Sequence, residues 1–397
     1  MTPTEADRFA ADSAAYVHIP FCSAICPYCD FAVVAGQNHL IETYVDAVVS
    51  EIRQSEAWRP LDAIYFGGGT PSLVPPELLA RIVEALSSKH GISADAELSL
   101  EANPEDFDFE RGRELRRIGF NRVSFGAQSF DSEVLRSLGR RHDGEQIKRS
   151  MWAARIAGFS DVSLDLIFGT VGENTDGWAD TLQSAIDLLP DHMSCYALTV
   201  ERGTPLGRSV AAGAPAPDPD EQADMYETAQ RTLADAGFSQ YEVSNWAMPE
   251  HECRYNMTVW AQGEYEAYGN GAHGHRDGRR TRNIRRLDAY LKSVEGGDRP
   301  LAGADDVEGW DAETERLYVG LRRTAGVEDG PGVRALLDSD VGARLTEAGV
   351  ISFDEGRLTI RRPLLSDEVN REVLDLDPPE GWANAPGADN VAIDPHA

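Results

Sequence analysis

The sequence is short of basic residues, short of cysteine and without a long apolar run, and each shortage removes a class of function. Lys and Arg number 37 against 67 Asp and Glu, a formal charge of −30 over 397 residues. Phosphate contacts need basic groups, so nucleic acid is not an expected partner. No stretch approaches the ~18 consecutive apolar residues of a membrane helix, so no membrane span is expected. Met1 to Ala14 has neither a basic n-region nor an apolar core, unlike a signal peptide, and a cytoplasmic location follows as the expectation. Five cysteines suit no secreted disulfide framework, and three of them, Cys22, Cys26 and Cys29, stand close together. The acids are spread along the whole chain, which reads as a solvating surface.

What is present is an alternation. Short β-rich runs at Ala15–Ile19, Ala63–Phe66, Glu97–Glu101, Arg122–Phe125, Val162–Phe168 and Met193–Val200 are separated by amphipathic stretches. Those stretches are Leu40–Trp58, Pro76–His90, Phe109–Ile118, Gly144–Ala157 and Gly177–Leu189. Repeated βα units predict a parallel α/β sheet closed part-way into a barrel, with chemistry at the C-terminal strand ends. A Pro/Ala-rich stretch, Ala211 to Pro219, breaks the pattern. A helix at Glu221–Ala236 and a strand at Gln240–Trp246 follow, and Gly263–Gly278 is expected to be irregular. A helix at Ala312–Arg323 with strands near Gly349–Phe353 and Arg357–Ile360 predicts a small helical, winged-helix-like α+β domain. The expected division is a tail (1–14), a barrel (15–210), a linker and substrate region (211–304), the small domain (305–374) and an acidic disordered tail (375–397).

The chain reads Tyr16-Val-His-Ile-Pro-Phe-Cys22-Ser-Ala-Ile-Cys26-Pro-Tyr-Cys29-Asp-Phe31, directly after the first strand. Three thiolates in one loop can hold three irons of a [4Fe–4S] cluster and leave the fourth open to an amino-acid chelate. Cys26-Pro-Tyr-Cys29 alone would suit a dithiol redox pair, and zinc could use the thiols with His18. The third cysteine and the barrel-like setting oppose the dithiol. Zinc lacks a second Cys/His pair at suitable spacing. Further on, Phe66-Gly67-Gly68-Gly69-Thr70-Pro71 ends the second strand. Its glycines let backbone N–H groups approach a ligand with no Cβ in the way. Glu101 ends the third strand, where a carboxylate can accept from ribose hydroxyls. Asp165 lies between apolar neighbours in a strand, costly unless paired.

These motifs resemble the radical-SAM superfamily, and the Tyr16–Cys22 string resembles its anaerobic coproporphyrinogen III oxidase family, from about Tyr16 to Leu374. The resemblance implies a partial (β/α)6 radical-SAM barrel, a [4Fe–4S] cluster on Cys22, Cys26 and Cys29, and S-adenosylmethionine (SAM). It implies that Tyr16, Gly68 and Glu101 contact SAM at the cluster. Gly69, Thr70, Gln128, Arg140 and Asp165 match positions that contact a second SAM in the oxidase. No protein acid or base is expected. The family has an oxidase branch, which decarboxylates propionates to vinyls, and a haem-chaperone branch. Asp30-Phe31 after Cys29, in place of a further Cys, and the 15 residues before Tyr16 resemble the chaperone branch. That branch implies haem or another tetrapyrrole, an electron donor and a haem-acceptor protein as partners. Its His-Asn-x-x-Tyr-Trp stretch, associated with haem, stands here as Tyr255-Asn256-Met-Thr-Val259-Trp260. Tyr255, His251, Cys253 and His273 are then the candidate iron ligands. Gly269-Asn-Gly271-Ala-His273-Gly274 matches G-x-G-x-x-G but leads into a turn, not a helix, so no dinucleotide site is expected. The dense run Arg276, Arg279, Arg280, Arg282, Arg285 and Arg286 offers guanidinium groups to propionates.

Overall fold

The computed structural model describes residues 10–379 and Trp382, so most of the tail expected to be disordered, like Met1–Arg8 and Phe9, lies outside the described residues. Six parallel strands form the centre: β1 (Ala14–Ile19), β2 (Leu61–Gly68), β3 (Ile92–Ala102), β4 (Arg122–Gln128), β5 (Asp161–Phe168) and β6 (His192–Ala197). They lie side by side in chain order, each pair parallel. Helices α1 (Ile41–Gln54), α2 (Pro76–His90), α3 (Phe109–Ile118), α4 (Gly144–Ala157) and α5 (Thr175–Ile186) connect them, giving the expected α/β partial barrel.

Local chemistry sets the helix limits. Asp108, Asp143 and Asn174 cap the starts of α3, α4 and α5 with side-chain oxygens. Asp143 and Gln146 form a reciprocal capping box. Gly119 and Gly158 end α3 and α4 with positive φ. The apolar faces of these helices close on one core with Val17, Ile64, Leu100, Val123 and Leu164 from the strands.

The sheet continues beyond 210. Helix α6 (Pro219–Asp235) leads to β7 (Ser239–Glu242) and β8 (Asn245–Ala247), so the single strand expected over Gln240–Trp246 is a hairpin folded back on β6. Helix α7 (Arg254–Trp260) precedes β9 (Tyr265–Tyr268), β10 (His273–Arg276), β11 (Arg279–Asn283) and β12 (Leu301–Asp306). Gly263–Gly278 is therefore not irregular. Tyr265–Tyr268 pairs in parallel with Ala14–Val17, covering an edge of β1 that would otherwise be open, and β10–β12 add antiparallel strands outside it. Asp277 and Gly278 both have positive φ and make the tight β10–β11 turn. The sheet order is β12-β11-β10-β9-β1-β2-β3-β4-β5-β6-β8-β7.

Residues 309–374 build a second core of Leu317, Leu321, Val333, Leu336, Ile351, Leu358 and Val369. It combines helices with a small antiparallel sheet from Val327–Glu328, Ile351–Asp354 and Arg357–Ile360. Backbone bonds from Val243 N to Arg322 O (3.1 Å) and Thr324 N to Tyr241 O (3.1 Å) tie it to β7.

Candidate functional site

At the C-terminal strand ends lies a cavity of about 410 Å³ lined by residues from the cysteine loop and from β2 to β6. The cysteine loop leaves β1 and returns on itself, pairing Phe21–Cys22 with Val34–Ala35. His18 anchors it through Nε2 at 3.0 Å from the Ala32 carbonyl. All three cysteines carry free thiols and line the cavity. Burial pushes the Cys22 thiol up to about 11 and raises that of Cys29, so as bare groups they hold their protons and a metal must draw them off.

The glycine loop closes one side. Gly68 has φ +111°, and a Cβ there would overlap the His18 ring. A Cβ on Gly69 would stand 2.7 Å from the Phe21 carbonyl oxygen. The expected role of its N–H groups needs correction. Gly69 N donates to Ile19 O and Thr70 N to Phe21 O, both at 2.8 Å, while Gly68 N donates to Glu101 Oε2 at 3.0 Å. These donors lock the loop onto β1, the start of the cysteine loop and Glu101 of β3, and are not free for a ligand.

Glu101 accepts from Tyr65 Oη (2.9 Å) as well as from Gly68 N. Burial first, and the Asp165 charge second, push its carboxyl up to about 7. Asp165 accepts from Ser124 Oγ at 2.8 Å and from Ser194; burial raises its pKa too. Gln128 sits at the end of β4 with φ 62°, a left-handed backbone at a bulge in the β4–β5 pairing. Arg140 reaches in from the loop after β4. Its Nη1 lies 3.7 Å from Cys26 Sγ, and its buried Nε has no acceptor among the described residues.

Gly68, Gly69, Thr70, Glu101, Gln128, Arg140, Asp165 and the three cysteines therefore share one cavity. Tyr16 stands one layer behind it, its hydroxyl 3.1 Å from His18 Nδ1 and its ring stacked on Tyr65 and Tyr255. The sequence motifs missed Asn103, Tyr65, Ser124, Ser194 and Tyr196, all of which line the cavity. Strand alternation carries a signal for Ser124, since Arg122, Ser124, Gly126 and Gln128 recur at period two on β4.

No group of three His, Cys, Asp or Glu side chains among the described residues is spaced to hold one metal ion. A four-iron cube takes each thiolate on a different iron, so its ligands stand farther apart than those of a tetrahedral zinc. Three sulfurs, an unpartnered guanidinium nitrogen and glycines with no room for a Cβ fit a cluster with a polar ligand beside it.

The haem-ligand candidates separate clearly. Tyr255 packs between Tyr65 (5.2 Å) and Tyr16 (5.8 Å), and burial keeps its phenol protonated. Cys253 is buried with its thiol donating to Glu97, and His251 Nδ1 is 2.6 Å from Asp161. His273 is exposed at the start of β10. Partial desolvation, then the charges of Arg282, Arg280 and Arg285, lower its pKa and favour the neutral imidazole. The arginine run is largely committed to acids: Arg276 to Glu266, Arg279 to Asp306, Arg280 to Glu315, Arg282 to Asp305 and Arg286 to Asp288. Arg285 donates to the Asp30 carbonyl. Clamping of propionates by Arg279 and Arg280 is thus not supported.

Residues 16–185 match the Radical SAM superfamily. The chain is 34% identical over 369 residues to the protein named "Heme chaperone HemW" of Bacillus subtilis (strain 168), covering 89% of this chain and 97% of that one. It is 35% identical over 373 residues to the protein of the same name in Mycobacterium tuberculosis (strain ATCC 25618 / H37Rv), covering 90% and 94%. The solved structure of coproporphyrinogen III oxidase (HemN) from Escherichia coli superposes with a TM-score of 0.78 at 23% identity, over 93% of this chain and 92% of that one, a likeness of fold. Among the described residues no helix is long and apolar enough to cross a membrane.

Proposed function

This chain belongs to the HemW family of the radical SAM superfamily, and from that premise we propose that it binds haem and passes it to an acceptor protein. Cys22, Cys26 and Cys29 would hold a [4Fe–4S] cluster, and the same cavity would take up SAM. The carrying observation is the convergence of these thiols with Glu101, Asp165 and Arg140 on one cavity. When bound, the cluster offers an open iron to the amino and carboxylate groups of the SAM methionine.

The chain's own part is to bind, orient and exclude water. Glu101, raised by burial, takes hydroxyl donors from the ribose and is ionised more fully once they arrive. Asp165, fixed by Ser124 and Ser194, accepts deeper in the barrel. The Gly68–Thr70 loop sets the distance between ligand and cysteine loop, because any side chain at Gly68 or Gly69 would collide with His18 or Phe21.

With the usual imidazole replaced by Tyr255, His273 is the residue this function places on the haem iron. It is the exposed side chain among the four candidates, and it is an imidazole. Haem titration of the anaerobically reconstituted chain should give a Soret shift that His273→Ala reduces at least tenfold in affinity, while His251→Ala leaves it unchanged. Anaerobic turnover with coproporphyrinogen III and SAM should give no protoporphyrinogen IX. Product formation, or a spectrum indifferent to haem, would return the chain to the oxidase branch.

A further inference from the structure

Of the three sulfurs, Cys26 takes its hydrogen bond from a cation, whereas the groups beside Cys22 and Cys29, the Thr70 hydroxyl and the Phe31 backbone N–H, are neutral. Cys26 faces the Arg140 guanidinium, with Nη1 at 3.7 Å. Arg140 Nη2 donates to Asn103 Oδ1 (2.6 Å) and to the Gly126 carbonyl (2.8 Å). None of these three hydrogen-bond partners is a carboxylate; Glu105, Asp106 and Asp165 act on the guanidinium only through space, and its hydrogen bond to an ionisable group goes to the Cys26 sulfur.

Asn103 joins two of these three groups. Its Oδ1 accepts from Arg140, which fixes the orientation of the amide, and its Nδ2 donates to Thr70 Oγ1 at 3.1 Å. One carboxamide therefore holds both the guanidinium at Cys26 and the hydroxyl beside Cys22 in place. Asn103 comes from the loop after β3, Thr70 from that after β2 and Arg140 from that after β4, so the brace spans three βα units.

We propose that Asn103 and Arg140 set the reduction potential of the cluster, with Arg140 as a cationic donor to Cys26 and Asn103 as its positioning residue. This rests on the cluster assignment under Proposed function. Reduction by one electron adds one negative charge to the cluster and its thiolates. A cationic hydrogen bond to sulfur in a water-poor site stabilises the more negative form, and charged hydrogen bonds are roughly twice as strong as neutral ones. The brace thus raises the potential above that of three thiolates with neutral donors. The electron comes from outside the chain, from dithionite in the measurement.

The test is an EPR-monitored redox titration, without SAM, of the parent chain, Arg140→Met, Arg140→Lys and Asn103→Ala, each normalised to iron and sulfide content. Arg140→Met should be at least tenfold harder to reduce, a midpoint lower by about 59 mV for a one-electron couple. Arg140→Lys keeps the charge without the fork and should shift less. Asn103→Ala should move the same way as Arg140→Met by a smaller step, with the iron content unchanged. Superimposable midpoints in all four chains at equal iron content would overturn the proposal. A parent chain that takes up no iron and sulfide would instead overturn the cluster assignment beneath it. Arg140→Lys and Asn103→Ala keep the question answerable if Arg140→Met does not fold.

Discussion

The outer strands and the cavity hold charge in opposite ways. On β10–β12 the arginines meet acids across the ladder: Arg279 is opposite Asp306 in register, and Arg282 pairs with Asp305 at 2.9 Å. In the cavity Glu101 and Asp165 take their hydrogen bonds from neutral donors, Tyr65, Gly68, Ser124 and Ser194, and Asp165 feels the Arg122 and Arg140 charges without an ion pair to either. Arg140 is turned to a sulfur. Matched charge on an exposed sheet is structural and nearly neutral in energy. Unmatched charge in a buried site is held at a cost by the surrounding fold, and it marks where a ligand completes the set. In an acidic chain, the location of unmatched charge is more informative than its amount.

The comparison breaks most completely at the cysteines. Replacing Cys22, Cys26 and Cys29 together by Ala should abolish iron and sulfide uptake on anaerobic reconstitution, read by metal analysis and absorbance. Zinc bound in place of iron, or iron retained without the thiols, would remove the basis of the site. Glu101→Gln is the next largest effect, and its sign depends on pH. The carboxyl of Glu101 lies at about 7 in the fold against 4.5 ordinarily. Between those values the folded chain binds more protons than the unfolded one, so rising pH destabilises it by on the order of 2–3 kcal/mol through this group. The ligand-free Glu101→Gln chain should match the parent near pH 5 and exceed it in urea stability near pH 8. Glu51, also pushed up to about 7 by burial, gives both chains a shared slope. Only the difference between them reports on Glu101. SAM affinity should fall about tenfold or more, since a charged acceptor contributes roughly 1.5–3 kcal/mol. A pH dependence identical in both chains would show that Glu101 is not held in the state described.

Much of this could be read from residues alone, for identifiable reasons. Pro76–His90, Phe109–Ile118 and Gly144–Ala157 were expected as amphipathic stretches and are helices over those same residues. Each has a proline or acidic cap at its start, and glycine follows its end. The six central strands were legible because buried parallel strands are continuous apolar runs. Tyr265–Tyr268 and His273–Arg276 were not, because glycines surround them and the reason for their extension is an edge of β1 over 240 residues away in sequence. In the site, cysteines and glycines stand out by type and spacing. Asn103, Tyr65 and Ser124 are ordinary polar residues, and only the sheet register and the loop ends bring them inward.

The smallest effect sharpens the other side of the comparison. Arg282 and Asp305 are each nearly half exposed, at 45% and 47%. Such a pair contributes about 0.2–1 kcal/mol and is screened by salt. A double-mutant cycle of Arg282→Ala and Asp305→Ala should give a coupling at the low end of that range, shrinking further in 1 M salt, where the Debye length is about 3 Å. Urea unfolding at low and high salt measures it. Coupling well above 1 kcal/mol that persists in salt would mean that the outer strands hold their charges under strain, as the cavity does. Unmatched charge would then no longer distinguish the site from the surface.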